Sequence, residues 1–238
     1  MSAGIKVIAA IPCYNTEPSI ADVVSAARKH TDQVLVIDDG SRDGTAEVAR
    51  AAGAVVICHG INKGYGEAVK TCFQAAKTNG ADILVTIDGD GQHNPEEIPL
   101  LFAPIVEGKA DIVIGSRFLA SEVNMPRYRR FGIGVITFLF NFGSRIKVSD
   151  AQSGFRAYSK KMIDTLLLSD TGMSISIESL EKARLNGAII KEVPISCFYI
   201  PSTLNFNAIK HGLGVALSVI RIRLKHGLLG RNNRHGKA

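Results

Sequence analysis

The sequence predicts an α/β protein, an open and mostly parallel β-sheet with helices on both faces, folded as one domain. Three observations predict it. Apolar runs rich in β-branched residues alternate with helical patterns through the first half of the chain, the signature of βαβ units. Polar residues gather at the carboxyl ends of those runs, where open parallel sheets bind their ligands. Apolar residues make up 46% of the 238 and charged residues 21%, and no Gly/Ser- or Pro-rich stretch interrupts them before the last few, so no linker divides the chain.

In chain order, residues 5–12 (IKVIAAIP) read as the first strand and 19–30 as the helix after it. Residues 34–38 (VLVID) are the second strand, 43–52 the second helix, 54–58 (AVVIC) the third strand, 66–77 the third helix and 82–88 (DILVTID) the fourth strand. The helix over 95–108 opens on Pro95, whose fixed φ and missing N–H suit a first turn, with Glu96 and Glu97 favourable at its positive end. DIVIGS (111–116) is the fifth strand, and beyond it helices mix with one more strand within 189–200 (IIKEVPISCFYI). The domain is expected to run over 5–230, with 231–238 a disordered basic tail.

The net charge is +6, and RIRLKHGLLGRNNRHGKA (221–238) holds no acid, which on composition suits an anionic membrane surface or nucleic acid about as well as it suits a solvated, frayed terminus. Cys13, Cys58, Cys72 and Cys197 form no C-x-x-C pair and read as buried thiols in a reducing compartment. The most apolar windows, 131–143 and 212–220, fall short of the roughly 20 apolar residues that cross a bilayer. A soluble or peripheral protein of the cytoplasm or the cytoplasmic membrane face is expected.

The candidate chemistry lies at the strand ends. Asp88 and Asp90, flanked by glycines in DGDGQH, set two like charges together, which costs stability unless a cation sits between them. Oxygen donors, with Gln92 beside them and His93 close by, favour a hard ion such as Mg²⁺ or Mn²⁺ held jointly with substrate phosphates. A solvated acidic turn is the plain alternative. DDGSRDGT (38–45) can be an ordinary strand-to-helix turn, but that leaves unexplained why Asp38 and Asp39 stand together, where a carboxylate can accept hydrogen bonds from a nucleotide. NKGYGEAVK (62–70) resembles a phosphate-binding loop without matching either established glycine pattern, and a capped helix start fits it equally.

Arg117, Arg127, Arg129, Arg130 and Arg156 follow the acid-lined strands, and arginine's planar fork suits phosphate oxygens. Within the apolar window, Thr137, Asn141 and Ser144 form one narrow polar stripe, fitting either a core helix or one lying in a membrane interface; the arginines upstream favour the interface.

Taken in order, IPCYNTE, VIDDGSRDGT, NKGYGEA, DGDGQH, GSRF and DAQSGFRAYS resemble glycosyltransferase family 2 with the Rossmann-like GT-A fold, and within it the polyprenyl-phosphate sugar transferases related to dolichol-phosphate mannose synthase. The resemblance implies that Pro12, Tyr14, Glu17, Asp38 and Asp39 line a nucleotide-sugar site bordered by Lys63 and Gly64, with Asp88 also on the donor. It makes Asp88, Asp90 and Gln92 the holders of a Mg²⁺ or Mn²⁺ that bridges the diphosphate. Arg117, Arg129 and Arg130 would bind the phosphate of a dolichyl or polyprenyl acceptor, Arg156 would shape that side, and Asp90, Arg117 and Arg130 would carry catalysis. The implied reaction moves a sugar from a donor such as GDP-mannose, UDP-glucose or UDP-N-acetylglucosamine with inversion. Residues 200–212 (IPSTLNFNAIKHG) depart from the basic, Gly/Ser-rich loop of mannose synthases, which argues against mannose; Lys210 and His211 are candidates to touch the donor.

Four rivals remain, one of them a noncatalytic nucleotide- or lipid-binding module, which would have little reason to keep both Asp88 and Asp90. A family 2 enzyme elongating a glycan would not need an apolar helix preceded by arginines. A nucleotidyltransferase would need a Gly-rich loop after strand one, and IPCYNTEPS has no glycine. Nucleic-acid binding is not expected, since the positive charge is terminal and no aromatic stacking platform accompanies it.

Overall fold

The structure, a computed structural model, describes residues 4–120, 125–142, 144, 146–198 and 217. Residues 200–212, Leu217 apart the apolar window at 212–220, and the basic run 221–238 with the expected domain boundary at 230 lie outside the described residues.

Seven strands form one sheet: β1 (Val7–Cys13), β2 (Gln33–Asp38), β3 (Val55–Cys58), β4 (Ile83–Thr86), β5 (Ile112–Ser116), β6 (Arg156–Ser159) and β7 (Ile190–Pro194), in spatial order β3-β2-β1-β4-β6-β5-β7. β3, β2, β1 and β4 run parallel, β6 lies antiparallel between β4 and β5, and β7 pairs parallel with β5. The mostly parallel α/β sheet is as the alternation predicts. β6 is the departure, since β5 does not neighbour β4. RAYS is four residues long and offers neither an apolar run nor turn residues of its own, so its pairing is decided by the flanking strands.

β1 is buried along its whole length and feeds both sides of the sheet by parity. Ile8 and Ala10 face α3 (Tyr65–Thr78), α5 (Arg127–Asn141), α6 (Lys160–Thr165) and α7 (Ile175–Leu185). Val7, Ala9, Ile11 and Cys13 face α1 (Glu17–Ala27), α2 (Thr45–Ala51) and α4 (Ile98–Val106). Pro95–Glu97 form a single 3₁₀ turn ahead of α4, capped by the Asn94 side chain accepting from the Glu96 N–H. Cys13 and Cys72 are buried as expected, whereas Cys58 is exposed because β3 is an edge strand with only partial cover.

The winding sets where a ligand fits. β1, α1, β2, α2 and β3 step outward in one direction, and α3 then carries the chain back to β4 on the other side of β1. The strand order therefore reverses between β1 and β4, the switch point at which doubly wound sheets bind ligands. Register aligns the tips there, with Cys13 opposite Asp38 and Asp38 opposite Cys58.

Candidate active site

The loops after β1 and β2 are laced together. Asn15, at φ 52°, donates its N–H to Ser41 Oγ (2.9 Å) and accepts from the Arg42 N–H (2.9 Å), while the Glu17 carboxylate accepts from the Gly44 N–H (2.8 Å). Pro12 is buried at the strand end, and Tyr14 stands exposed beside it. Asp38 accepts from the Ser41 N–H at 3.0 Å. Gly40 takes φ +73°, and a Cβ there would meet the Ile61 backbone at 2.6 Å, so glycine is required to bring 38–41 against 61–62.

Asp39 is buried and tied from several sides: its oxygens accept from the Lys63 and Gly64 N–H groups (3.0 and 2.8 Å) and pair with His59 Nδ1 at 2.7 Å, while His59 Nε2 meets Thr71 Oγ1 at 3.0 Å. Asp39 thus fixes the glycine loop that borders the site. The Lys63 side chain itself is exposed.

Past β4, Asp88 and Asp90 lie at the switch point. The Tyr65 hydroxyl donates to Asp88 Oδ1 at 3.2 Å, and His93 Nε2 stands 3.8 Å from Asp88 Oδ2. Asp90 accepts from the Gln92 N–H at 3.0 Å and from its amide nitrogen at 2.6 Å, which leaves the amide oxygen of Gln92 as its remaining donor atom to a cation. Burial raises the pKa of both carboxyls, and the charge of Asp88 raises Asp90 further. Burial, with the charge of Arg117, brings His93 down to about 4, so it is neutral at pH 7. Its Nδ1 is buried without a hydrogen-bond partner among the described residues.

Among the described residues no three His, Cys, Asp or Glu side chains converge as a cage for a metal ion. Two carboxylates and an amide oxygen nevertheless fit a divalent ion of the Mg²⁺ type, which takes one or two carboxylates and completes its octahedron with water and substrate phosphates. The burial of both carboxyls, and the charge of Asp88 acting on Asp90, are what a cation would relieve.

Arg117, just past β5, forms a bidentate pair with buried Asp150, Nε to Oδ2 at 2.6 Å and Nη2 to Oδ1 at 2.8 Å. Glu192 of β7 holds the preceding turn, accepting from the N–H groups of Ser149 and Asp150. The fork of Arg117 is thus aimed by Asp150, close enough to the acid pair for its charge to act on Asp88. Arg130 is exposed and Arg129 half-buried in the first turn of α5. Arg156 stands elsewhere than on an acceptor surface: at 1% exposure it donates to the carbonyls of Ser176 and Ala151 (both 2.7 Å) and to Ser179 Oγ (3.0 Å), tying the SGFR turn to α7. Asp150, Tyr65 and His59 were missed by sequence reasoning, although each sits inside or beside a motif it singled out.

The polar stripe of α5 faces inward. Thr137 Oγ1 accepts from the Ala151 N–H (3.3 Å) and Asn141 exchanges two hydrogen bonds with the backbone of Val148 (2.7 and 3.0 Å). The outward face is apolar, with Phe131 74%, Phe138 65% and Phe142 71% exposed beside Tyr128 and Val135. Among the described residues no helix is long and apolar enough to cross a membrane.

A solved structure of glucosyl-3-phosphoglycerate synthase from Mycobacterium tuberculosis, bound to Mn²⁺, UDP-glucose and phosphoglyceric acid, superposes with a TM-score of 0.71 at 22% identity, covering 93% of this chain and 79% of that one. The fold is thus that of the GT-A glycosyltransferases. The sequence model of glycosyl transferase family 2 matches residues 8–167. A UDP-N-acetylglucosamine–dolichyl-phosphate N-acetylglucosaminyltransferase of Methanococcus voltae is 34% identical over 79% of this chain and 84% of its own. A polyprenol monophosphomannose synthase of Mycolicibacterium smegmatis is 32% identical over 80% and 77%. The chain belongs to glycosyltransferase family 2 and is a glycosyltransferase.

Proposed function

We propose that the protein transfers a sugar, with inversion, from a nucleotide-sugar to a polyprenyl or dolichyl phosphate at a membrane surface. The observation that carries the reading is the pairing of a half-buried acid pair with an aimed arginine at one sheet edge: Asp88 and Asp90 on one side, and Arg117 locked by Asp150 on the other. Two anions must approach each other in this reaction; a cation held by the acid pair would serve the diphosphate, and Arg117 would serve the acceptor phosphate. Relatives named for dolichyl- and polyprenyl-phosphate transfer support the same acceptor class.

Pro12, Tyr14, Glu17, Asp38 and Asp39 shape the nucleotide pocket, with the Lys63–Gly64 loop at its border. Asp88, Asp90 and Gln92 would hold Mg²⁺ or Mn²⁺, which when bound stabilises charge on the departing diphosphate. Arg117, with Arg129 and Arg130 at the head of α5, receives the acceptor phosphate. That phosphate has a second pKa near 6, so its attacking oxygen is already largely ionised at neutral pH and the chain needs no strong general base. Arg156 supports the turn from which Asp150 reaches Arg117. The apolar face of α5 lies against the bilayer and presents the lipid; glycan elongation would leave that face without a use.

Incubating the purified protein with polyprenyl phosphate, Mg²⁺ or Mn²⁺ and a panel of GDP- and UDP-sugars tests the reading. The expected result is lipid-linked sugar from one donor in the panel, lost in EDTA. Donor turnover only onto a soluble glycan would refute it.

A further inference from the structure

The residues around Asp88 come from three separate motifs, and two of them touch it in a way the proposed reaction has not yet used. Tyr65, between the glycines of NKGYGEA, donates its hydroxyl to Asp88 Oδ1 at 3.2 Å across 23 residues of sequence. Gly154, in the SGFR turn, lies so close that a Cβ there would sit 2.5 Å from Asp88 Oδ2 and 2.8 Å from Oδ1. Its φ is not among the positive ones, so the backbone itself would accept a side chain and the space is what is reserved.

Both neighbours are held in turn. The Gly66 N–H donates to the Thr171 carbonyl at 3.0 Å, and a Cβ on Gly66 would meet Thr171 C at 2.4 Å, so the start of α3 is seated tightly on the 170–172 turn. The Gly154 carbonyl accepts from Thr86 Oγ1 at 2.8 Å, which pins the SGFR turn to the end of β4, two residues before Asp88. Asp88 is therefore gripped between two fixed walls, and its rotamer is set by groups outside the D-x-D loop.

We propose that Tyr65 and Gly154 are positioning residues that aim the Asp88 carboxylate at the divalent cation, Tyr65 by a hydrogen bond and Gly154 by the absence of a side chain. The inference rests on the reading of Asp88 as a metal ligand and adds which residues set its affinity. Groups that orient a ligating carboxylate typically change metal affinity on the order of 10–100-fold when removed.

The test reads Mn²⁺ binding directly, by the free-ion electron paramagnetic resonance signal, with UDP and with GDP present, on wild type, Tyr65→Phe and Gly154→Ala. Phenylalanine keeps the ring and removes only the hydroxyl, and alanine adds one methyl group against Oδ2. Both variants are expected to keep the wild-type melting temperature within a few degrees in EDTA, to bind Mn²⁺ on the order of tenfold more weakly, and to leave KM for polyprenyl phosphate unchanged. Wild-type Mn²⁺ affinity in both variants would overturn the inference while leaving the metal reading intact. Wild type that binds no Mn²⁺ with either nucleotide would overturn both. A matched rise in acceptor KM would also overturn it, because a general loosening of the site, rather than the aim of Asp88, would then be the cause.

Discussion

Asp88 and Asp90 carry a conflict between stability and use. Burial raises the pKa of both, and for Asp90 the charge of Asp88 adds to it. A carboxyl whose folded pKa lies above its unfolded value binds protons more readily in the folded state. Its ionised form therefore costs stability above that pKa, and the cost fades as pH falls. Replacing Asp90 by Asn removes one charge, keeps an oxygen for the Gln92 N–H and should raise the melting temperature of metal-free protein at pH 7, by about 2–4 °C for each kcal/mol relieved. The advantage should shrink toward acid pH while transfer is lost. Melting curves in EDTA across pH check this, and a variant no more stable than wild type at pH 7 would remove the conflict from the account. The acid pair was legible in the sequence because neighbouring like charges at a strand end need a reason. Tyr65, Asp150 and His59 were not, because their partners lie 23, 33 and 20 residues away and no local pattern encodes a contact at that range.

Among elements, α5 has a polar stripe that the sequence shows and a direction that the sequence leaves open. The spacing of Thr137, Asn141 and Ser144 does make one stripe, but the stripe is the inward one: those polar groups satisfy the backbone of the 146–151 turn, which would otherwise bury unpaired N–H and C=O groups. The face left outside is Tyr128, Phe131, Val135, Phe138 and Phe142, at spacings of three and four residues, with exposed Arg127 and Arg130 at its head. On that geometry, replacing Phe131 and Phe138 together with Ser should abolish most vesicle flotation on anionic liposomes while leaving turnover of a short, detergent-soluble polyprenyl phosphate near wild type. Retained flotation would put membrane contact elsewhere. High salt should weaken wild-type binding only in part, since the arginine share is screened and the phenylalanine share is not. The strands divide in the same manner. β1, β2, β4 and β5 were legible as buried apolar runs, whereas β6 was not, because four residues with Arg156 at their head carry no period of their own.

At the scale of the molecule, the parallel half follows from alternation alone, and with it the reversal between β1 and β4 that brings Asp38, Asp39, Asp88 and Asp90 to one edge. The antiparallel insertion of β6 is what the alternation could not supply, and it matters because it carries the SGFR turn to Asp88. Described loops at that edge are anchored to one another: 13–17 to 41–45, Asp39 to 63–64, Tyr65 to Asp88, Phe198 to Gln92. Ligands bound there bridge loops from both halves of the sheet, so binding should stabilise the fold as one unit. A ligand at 100 times its Kd adds about 2.7 kcal/mol, which for a chain of this size corresponds to a melting shift of about 5–11 °C. On the proposed function, Mn²⁺ and the nucleoside diphosphate would share a site, the cation standing between the acids and the diphosphate and offsetting the charge of both. Their joint shift should therefore exceed the sum of the separate ones, with Mn²⁺ alone giving little because two carboxylates and one amide leave about half of its octahedron to water. Thermal scanning with Mn²⁺, with UDP or GDP, and with both distinguishes the cases. Additive shifts would mean two independent sites, and the sheet edge would then hold the nucleotide without the cation between it and the acids.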